Sequence, residues 1–219
     1  MRIKAAAFDM DGTLLNTEKN YYSGLNYFLR KNGIAQIGKR GYLRYVGRSE
    51  YEIEKMLRRD FGVKILDGEF GKARLEYFKE RARKEGITLM PHAAYALIKM
   101  HSKGIRLALA TGGVRDEMEF KVKMSGIWEY FEVFSCLSDV KGGKPYPDVY
   151  LNAAQKLQVE PKEIVAFEDT PVGAESAKRA NIYTIAIPNE FCLEEKFEAD
   201  LVVSNLKEAV LAIEGRGMI

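Results

Sequence analysis

Short apolar runs alternating with longer amphipathic stretches constrain this chain more than any other feature. Ile3 with Ala5–Phe8, Ile105–Ala110, Val133-Phe134, Ile164–Phe167, Tyr183–Ile187 and Leu201–Val203 read as strands. Helical patterns fill the intervals at 93–103, 115–125, 147–157 and 172–180, and a last one closes the chain. Pro147 suits a first helical turn, where its missing N–H costs nothing. Strands alternating with helices of this length predict an α/β fold, a parallel sheet covered on both faces.

The stretch from 16 to 88 departs from that texture. Tyr21, Tyr22, Leu25, Phe28 and Leu29 mark one amphipathic helix from Glu18 to Lys31. Ser49 with Glu52 forms a capping box that opens a second, to about Phe61. A third runs from Glu69 to Glu85 and stops at Gly86. The expected organisation is therefore a core built from residues 1–15 and 89–219, with a small all-helical cap domain at 16–88. Because the cap follows the first strand, topology makes it a lid over that strand's C-terminal end. With 219 residues, 47% of them hydrophobic, the chain suffices for one α/β domain and such an insertion.

Composition removes several classes of function. A net charge of +3 is too small for a polyanion footprint, so no nucleic-acid partner is expected. The basic strip Lys39–Arg48, interleaved with aromatics, is either a solvated helix end and loop or a surface selecting an anionic substrate. Cys136 and Cys192 form no C-x-x-C pair and read as free buried thiols of a cytoplasmic, reducing setting. Arg2 and Lys4 interrupt any signal-peptide core, and no apolar run reaches membrane-spanning length. Neither a P-loop nor a strand-borne Gly-x-Gly-x-x-Gly is present, and His92 and His101 are too few for a zinc cluster with these cysteines. A monomer is the default.

The polar residues at the strand exits form a set. Asp9 and Asp11 follow the first strand, with Gly12 allowing a sharp turn. Alone, Asp-Gly-Thr reads as readily as solvated turn residues or a helix cap as it does as a functional pair of carboxylates. Thr111 follows the second strand, Glu168 and Asp169 a later one, and Lys144 lies in the loop between them. In a parallel sheet these groups converge at one edge, where ligands bind. Four carboxylates there would repel one another without a divalent cation, and an all-oxygen set suits Mg²⁺. A lysine and a threonine beside it match the oxygens of a phosphoryl group.

Asp9-x-Asp11-Gly12-Thr13, the strand-end Thr111, Gly143-Lys144-Pro145-Tyr146-Pro147-Asp148 and Phe167-Glu168-Asp169-Thr170 resemble the four ordered motifs of the haloacid dehalogenase-like hydrolases. The likeness runs from Ile3 to about Leu206. It points to the subgroup with a helical cap after the first motif, which contains β-phosphoglucomutases and many sugar-phosphate phosphatases. The resemblance implies a Rossmann-like core and a catalytic nucleophile at Asp9, which forms an aspartyl-phosphate, with Asp11 as general acid and base. It implies Mg²⁺ held by Asp9, the Asp11 carbonyl and Asp169, with Glu168 as ligand or neighbour. Thr111, Lys144 and the Gly112 N–H would bind the phosphoryl group, while Gly47 and Arg48 of the cap would select a small phosphorylated metabolite.

Asp11 argues against a dehalogenase, and the Val46–Ser49 turn lacks the lysine of a phosphonatase. The mutases carry a cap histidine where this chain has Tyr21, and an arginine where it has Glu50. Hydrolysis of phosphomonoesters is thus favoured over a phosphomutase. A non-catalytic binding protein on the same scaffold is the third reading, opposed by the intact Asp9, Asp11, Lys144 and Asp169.

Overall fold

A computed structural model describes residues 2–46 and 48–219. Its backbone resolves into two compact units: one ends its first segment at Asn16 and resumes at Thr88, and the other spans Thr17–Ile87.

The first unit is built on a parallel sheet of β1 (Ala5–Phe8), β2 (Arg106–Ala110), β3 (Val133–Ser135), β4 (Ile164–Glu168), β5 (Tyr183–Ala186) and β6 (Leu201–Val202), in the order β3-β2-β1-β4-β5-β6. β1 is central, with Phe8 in register with Leu109 on one side and Phe167 on the other. Strand order therefore reverses between β1 and β4, the place where open parallel sheets hold ligands.

Helices α5 (Ala93–Ser102), α6 (Arg115–Met124), α7 (Asp148–Leu157), α8 (Pro171–Arg179) and α9 (Leu206–Gly215) complete this unit. On one face α7 lays Val149, Tyr150, Ala153, Ala154 and Leu157 against Ala5, Ala7, Ala108, Ala110 and Ala166. Alanines on three adjacent strands keep that surface low, so a bulky Tyr150 fits beneath the helix. Phe8 stacks on Phe167 with ring centroids 4.6 Å apart.

The second unit contains α1 (Glu18–Lys31), α2 (Lys39–Tyr42), α3 (Glu50–Phe61) and α4 (Glu69–Glu85), with no strand among its described residues. Ser49 caps α3 in a full capping box with Glu52. The Tyr42 hydroxyl donates to Glu18 Oε1 at 2.8 Å, tying α2 to α1. Both cysteines are buried, and neither is in a disulfide. No helix of the described residues is long and apolar enough to cross a membrane.

One ion cluster joins the turn after β3 to α6 and α7. Asp139 accepts from Arg115, from Lys156 Nζ at 2.9 Å and from the Cys136 N–H at 3.2 Å. Burial pushes the Asp139 carboxyl up, but the bonds from Lys156, Arg115 and Cys136 outweigh it and hold the group well below the usual carboxylate range. A depressed folded-state value gives stability that is present above the ordinary carboxylate range and fades as pH falls. Asp139→Asn is expected to cost about 1–2 kcal/mol at neutral pH. The gap in melting temperature from the parent should narrow once pH drops below about 4. A gap that stays constant on acidification would refute the assignment.

Candidate active site

The strand exits deliver their polar groups to the reversal point in order. β1 ends at Phe8, and the Asp9 N–H continues the ladder by donating to the Phe167 carbonyl at 3.0 Å. The chain then turns on itself, with Gly12 N–H bonded to the Leu15 carbonyl at 2.9 Å. Gly12 has φ +85°, and a Cβ on it would stand 1.9 Å from Asp169 Oδ2. Glycine is required there twice over, by backbone conformation and by the carboxylate packed against it.

Ligand oxygens of Asp9, Glu168 and Asp169, all buried, lie within 4.8 Å of one another. Lys144 Nζ bridges two of them, 2.5 Å from both Asp9 Oδ1 and Glu168 Oε1. It also donates to the Ala110 carbonyl at 3.1 Å, so the three ammonium hydrogens match three acceptors. Burial pushes the Lys144 ammonium down, but Asp9 and Glu168 more than reverse this and keep it charged. Burial also raises the Asp9 carboxyl; Lys144 draws it back, Glu168 lifts it again, and it stands at about 8.

Three carboxylates against one ammonium leave a net −2 when all are ionised, a charge a divalent cation would balance. Two further features fit such a cation. Glu168 Oε2 is buried without a hydrogen-bond partner, an expensive state for a charged oxygen unless something coordinates it. The first turn of α8 makes room for that carboxylate at Gly173, where a Cβ would stand 2.0 Å from Glu168 Oε2. An all-oxygen buried donor set of this kind suits a hard divalent cation.

Two residues that sequence reasoning missed complete the enclosure. The Tyr150 hydroxyl, on α7, donates to Glu168 Oε1 at 2.5 Å, and its ring lies 5.2 Å from Lys144 Nζ. Asn189, beyond β5, donates to Asp169 Oδ2 at 2.6 Å, while its own oxygen accepts from the Phe191 N–H at 2.8 Å, which fixes the amide's orientation. Tyr150 was hidden by its place in an apolar helix face. Asn189 had a visible signal, as a polar residue just past a strand end.

Sequence reasoning expected four carboxylates together. Three meet, while the Asp11 side chain turns to Lys121 Nζ, 2.8 Å from both carboxylate oxygens. An ammonium in contact offsets the repulsion that a fourth acid in the cluster would meet. Thr111 is buried at the end of β2, its Oγ1 accepting from the Gly113 N–H at 3.1 Å, and Gly112 beside it is exposed.

In the helical unit, Arg48 is half exposed and sits 3.8 Å from Glu52; Gly47 lies outside the described residues. Tyr21 and Glu50, the two positions that differ from the mutases, are joined by a third residue. Arg74 lies over the Tyr21 ring at 4.3 Å and donates through Nε to Glu50 Oε1 at 3.0 Å. Gly71 gives the Glu50 carboxylate its space, since a Cβ there would stand 2.3 Å from Oε2.

A lysine-bridged acidic group at the reversal point of a parallel sheet, with a helical unit inserted after the central strand, places the protein among the α/β hydrolytic enzymes. The chain belongs to the haloacid dehalogenase-like hydrolase family, whose model matches residues 6–187. It is 32% identical to hexitol phosphatase A of Escherichia coli over 217 residues, 99% of this chain and 98% of that one. It is 33% identical over 183 residues to the phosphorylated carbohydrates phosphatase of Thermotoga maritima, covering 84% of each. A solved structure of a CbbY mutant from Rhodobacter sphaeroides, in complex with xylulose-(1,5)bisphosphate, aligns at TM-score 0.85 and 26% identity, over 94% of this chain and 96% of that one.

Proposed function

We propose that this protein is a Mg²⁺-dependent phosphatase of small phosphomonoesters, sugar phosphates foremost, working through an aspartyl-phosphate on Asp9. The observation that carries the reading is the meeting of Asp9, Lys144, Glu168 and Asp169 at the strand edge, with an unpartnered buried oxygen on Glu168. Family membership and the relatives' names as sugar-phosphate phosphatases support it.

Asp9 attacks phosphorus as the ester P–O bond breaks, and Asp11 gives its proton to the departing alkoxide. Water then attacks the aspartyl-phosphate, Asp11 takes back a proton, and the Asp9–phosphorus bond breaks to release inorganic phosphate. Both side chains end as they began, and the sum is ester plus water to alcohol plus phosphate. Splitting one displacement into two lowers each barrier, and proton transfer of this kind is typically worth about 10²–10⁴-fold. Lys144 supplies fixed positive charge to the moving phosphoryl oxygens, aided by the Thr111 hydroxyl and the Gly112 N–H. Asp9, Asp169, Glu168 and the Asp11 backbone carbonyl would hold the cation. When bound, it offsets the burial and acidic neighbours that raise Asp9, so that an ionised carboxylate faces an anionic ester.

Selection among substrates is assigned to the helical unit, including Arg48. The Tyr21–Arg74–Glu50 network favours hydrolysis over mutase action. The two positions that a mutase would use for histidine and arginine are here engaged with a neighbouring arginine of their own unit.

With MgCl₂, release of inorganic phosphate is expected from p-nitrophenyl phosphate and from members of a panel including hexitol phosphates and a ketopentose bisphosphate. EDTA should abolish it. β-Glucose 1-phosphate should give free phosphate and no glucose 6-phosphate. Silence across the panel with every divalent cation tried, or conversion to glucose 6-phosphate, would overturn the reading.

A further inference from the structure

Lys121 is the least expected residue of the first unit. It lies on α6 with a side chain 0% exposed, flanked by the buried Met118 and Val122. Lysine is almost never fully buried unless paired, and an ammonium moved out of water costs several kcal/mol before its partners repay it. Leucine or methionine would fill the same space without that cost.

Its partners show what the charge is for. Nζ lies 2.8 Å from Asp11 Oδ1, 2.8 Å from Asp11 Oδ2 and 2.7 Å from Glu117 Oε1. Glu117 is one helical turn earlier on α6 and itself buried, so it aims the lysine while balancing it. Asp11 stands 110 residues away along the chain, just past the end of β1, and retains 17% side-chain exposure. Gripping both oxygens of one carboxylate from a rigid helix fixes the plane of that carboxylate.

We propose that Lys121, braced by Glu117, is a positioning residue for Asp11, setting the orientation in which it passes a proton to the leaving alcohol. This rests on the phosphatase reading above. Purely structural pairing is the competing explanation, and the leaving group separates the two. An alkyl phosphate needs a proton on its departing oxygen, whereas p-nitrophenolate leaves without one. The parameter kcat/KM reports events up to that departure.

The double variant Glu117→Gln/Lys121→Met removes both buried charges together, and Lys121→Arg keeps the cation but shifts its donors. In the double variant, kcat/KM for an alkyl phosphate is expected to fall at least about tenfold, within the range of a lost acid catalyst. For p-nitrophenyl phosphate it should stay within about threefold. Lys121→Arg should show the same selective loss to a smaller degree. Equal losses on both esters, no loss on either, or failure of both variants to give a cooperative melt would assign Lys121 to the core alone and overturn the proposal. If the parent enzyme turns over neither ester, or Asp9→Asn remains fully active, the phosphatase reading itself is what has failed.

Discussion

Replacing Asp9 by asparagine is expected to lower phosphomonoester turnover by on the order of 10⁴-fold or more, as loss of a covalent nucleophile does elsewhere. The amide is close in shape, so the pocket survives, but it offers no anionic oxygen to phosphorus. Folding should not suffer, which makes this an informative variant. Burial, opposed by Lys144 and reinforced by Glu168, raises the Asp9 carboxyl to about 8. A carboxyl raised in the folded state contributes stability that is complete below its unfolded value and is lost as pH climbs through the folded one. Asparagine carries no such penalty. In EDTA, Asp9→Asn should therefore melt no lower than the parent, and the difference should grow in its favour as pH rises from about 4 and level off above about 8. Substantial residual turnover in this variant would remove the covalent mechanism.

Lys144→Met is expected to be costly in two currencies, stability and rate. Its ammonium lies between Asp9 and Glu168, and removal leaves both acids buried beside each other without their cation. Breaking a buried pair in this way typically costs about 3–5 kcal/mol, and loss of a preorganised charge facing the phosphoryl group costs about 10²–10³-fold in kcat. Divalent cation should recover part of the lost stability, since it too neutralises the carboxylates, but should not recover the rate. Calorimetry with and without Mg²⁺, alongside turnover, reads both. A variant melting within about 2 °C of the parent in EDTA would show that the bridge is not holding the site together.

Local signals in the sequence were those that the fold used most directly. The capping box of Ser49 and Glu52 opens α3 as read, because both partners lie within one turn. The apolar runs became strands, since continuous burial leaves such segments few alternatives. Asp9, Glu168 and Asp169 were placed at one edge by topology alone, given a parallel sheet. What escaped depends on residues far apart in the chain. α2 has four residues, one of them Gly41, and no period to detect; a bond from Tyr42 to Glu18 secures it across 24 positions. Nothing local to α6 marks Lys121, because its partner Asp11 lies 110 positions earlier in the chain. Tyr21 and Glu50 were visible as departures from the mutases, but the arginine that joins them was not.

The central strand also sets a schedule for the ribosome. β1 is synthesised first, yet its partner in β2 begins about 100 positions later and its partner in β4 about 160. At roughly 5–20 residues per second, Ala5–Phe8 waits on the order of ten to thirty seconds before both neighbours exist. Four residues, three of them alanine, offer little for stray chains to pair with during that wait. The helices of Thr17–Ile87 emerge meanwhile with their own internal packing, so synthesis can complete the inserted unit before the sheet that interrupts itself to hold it.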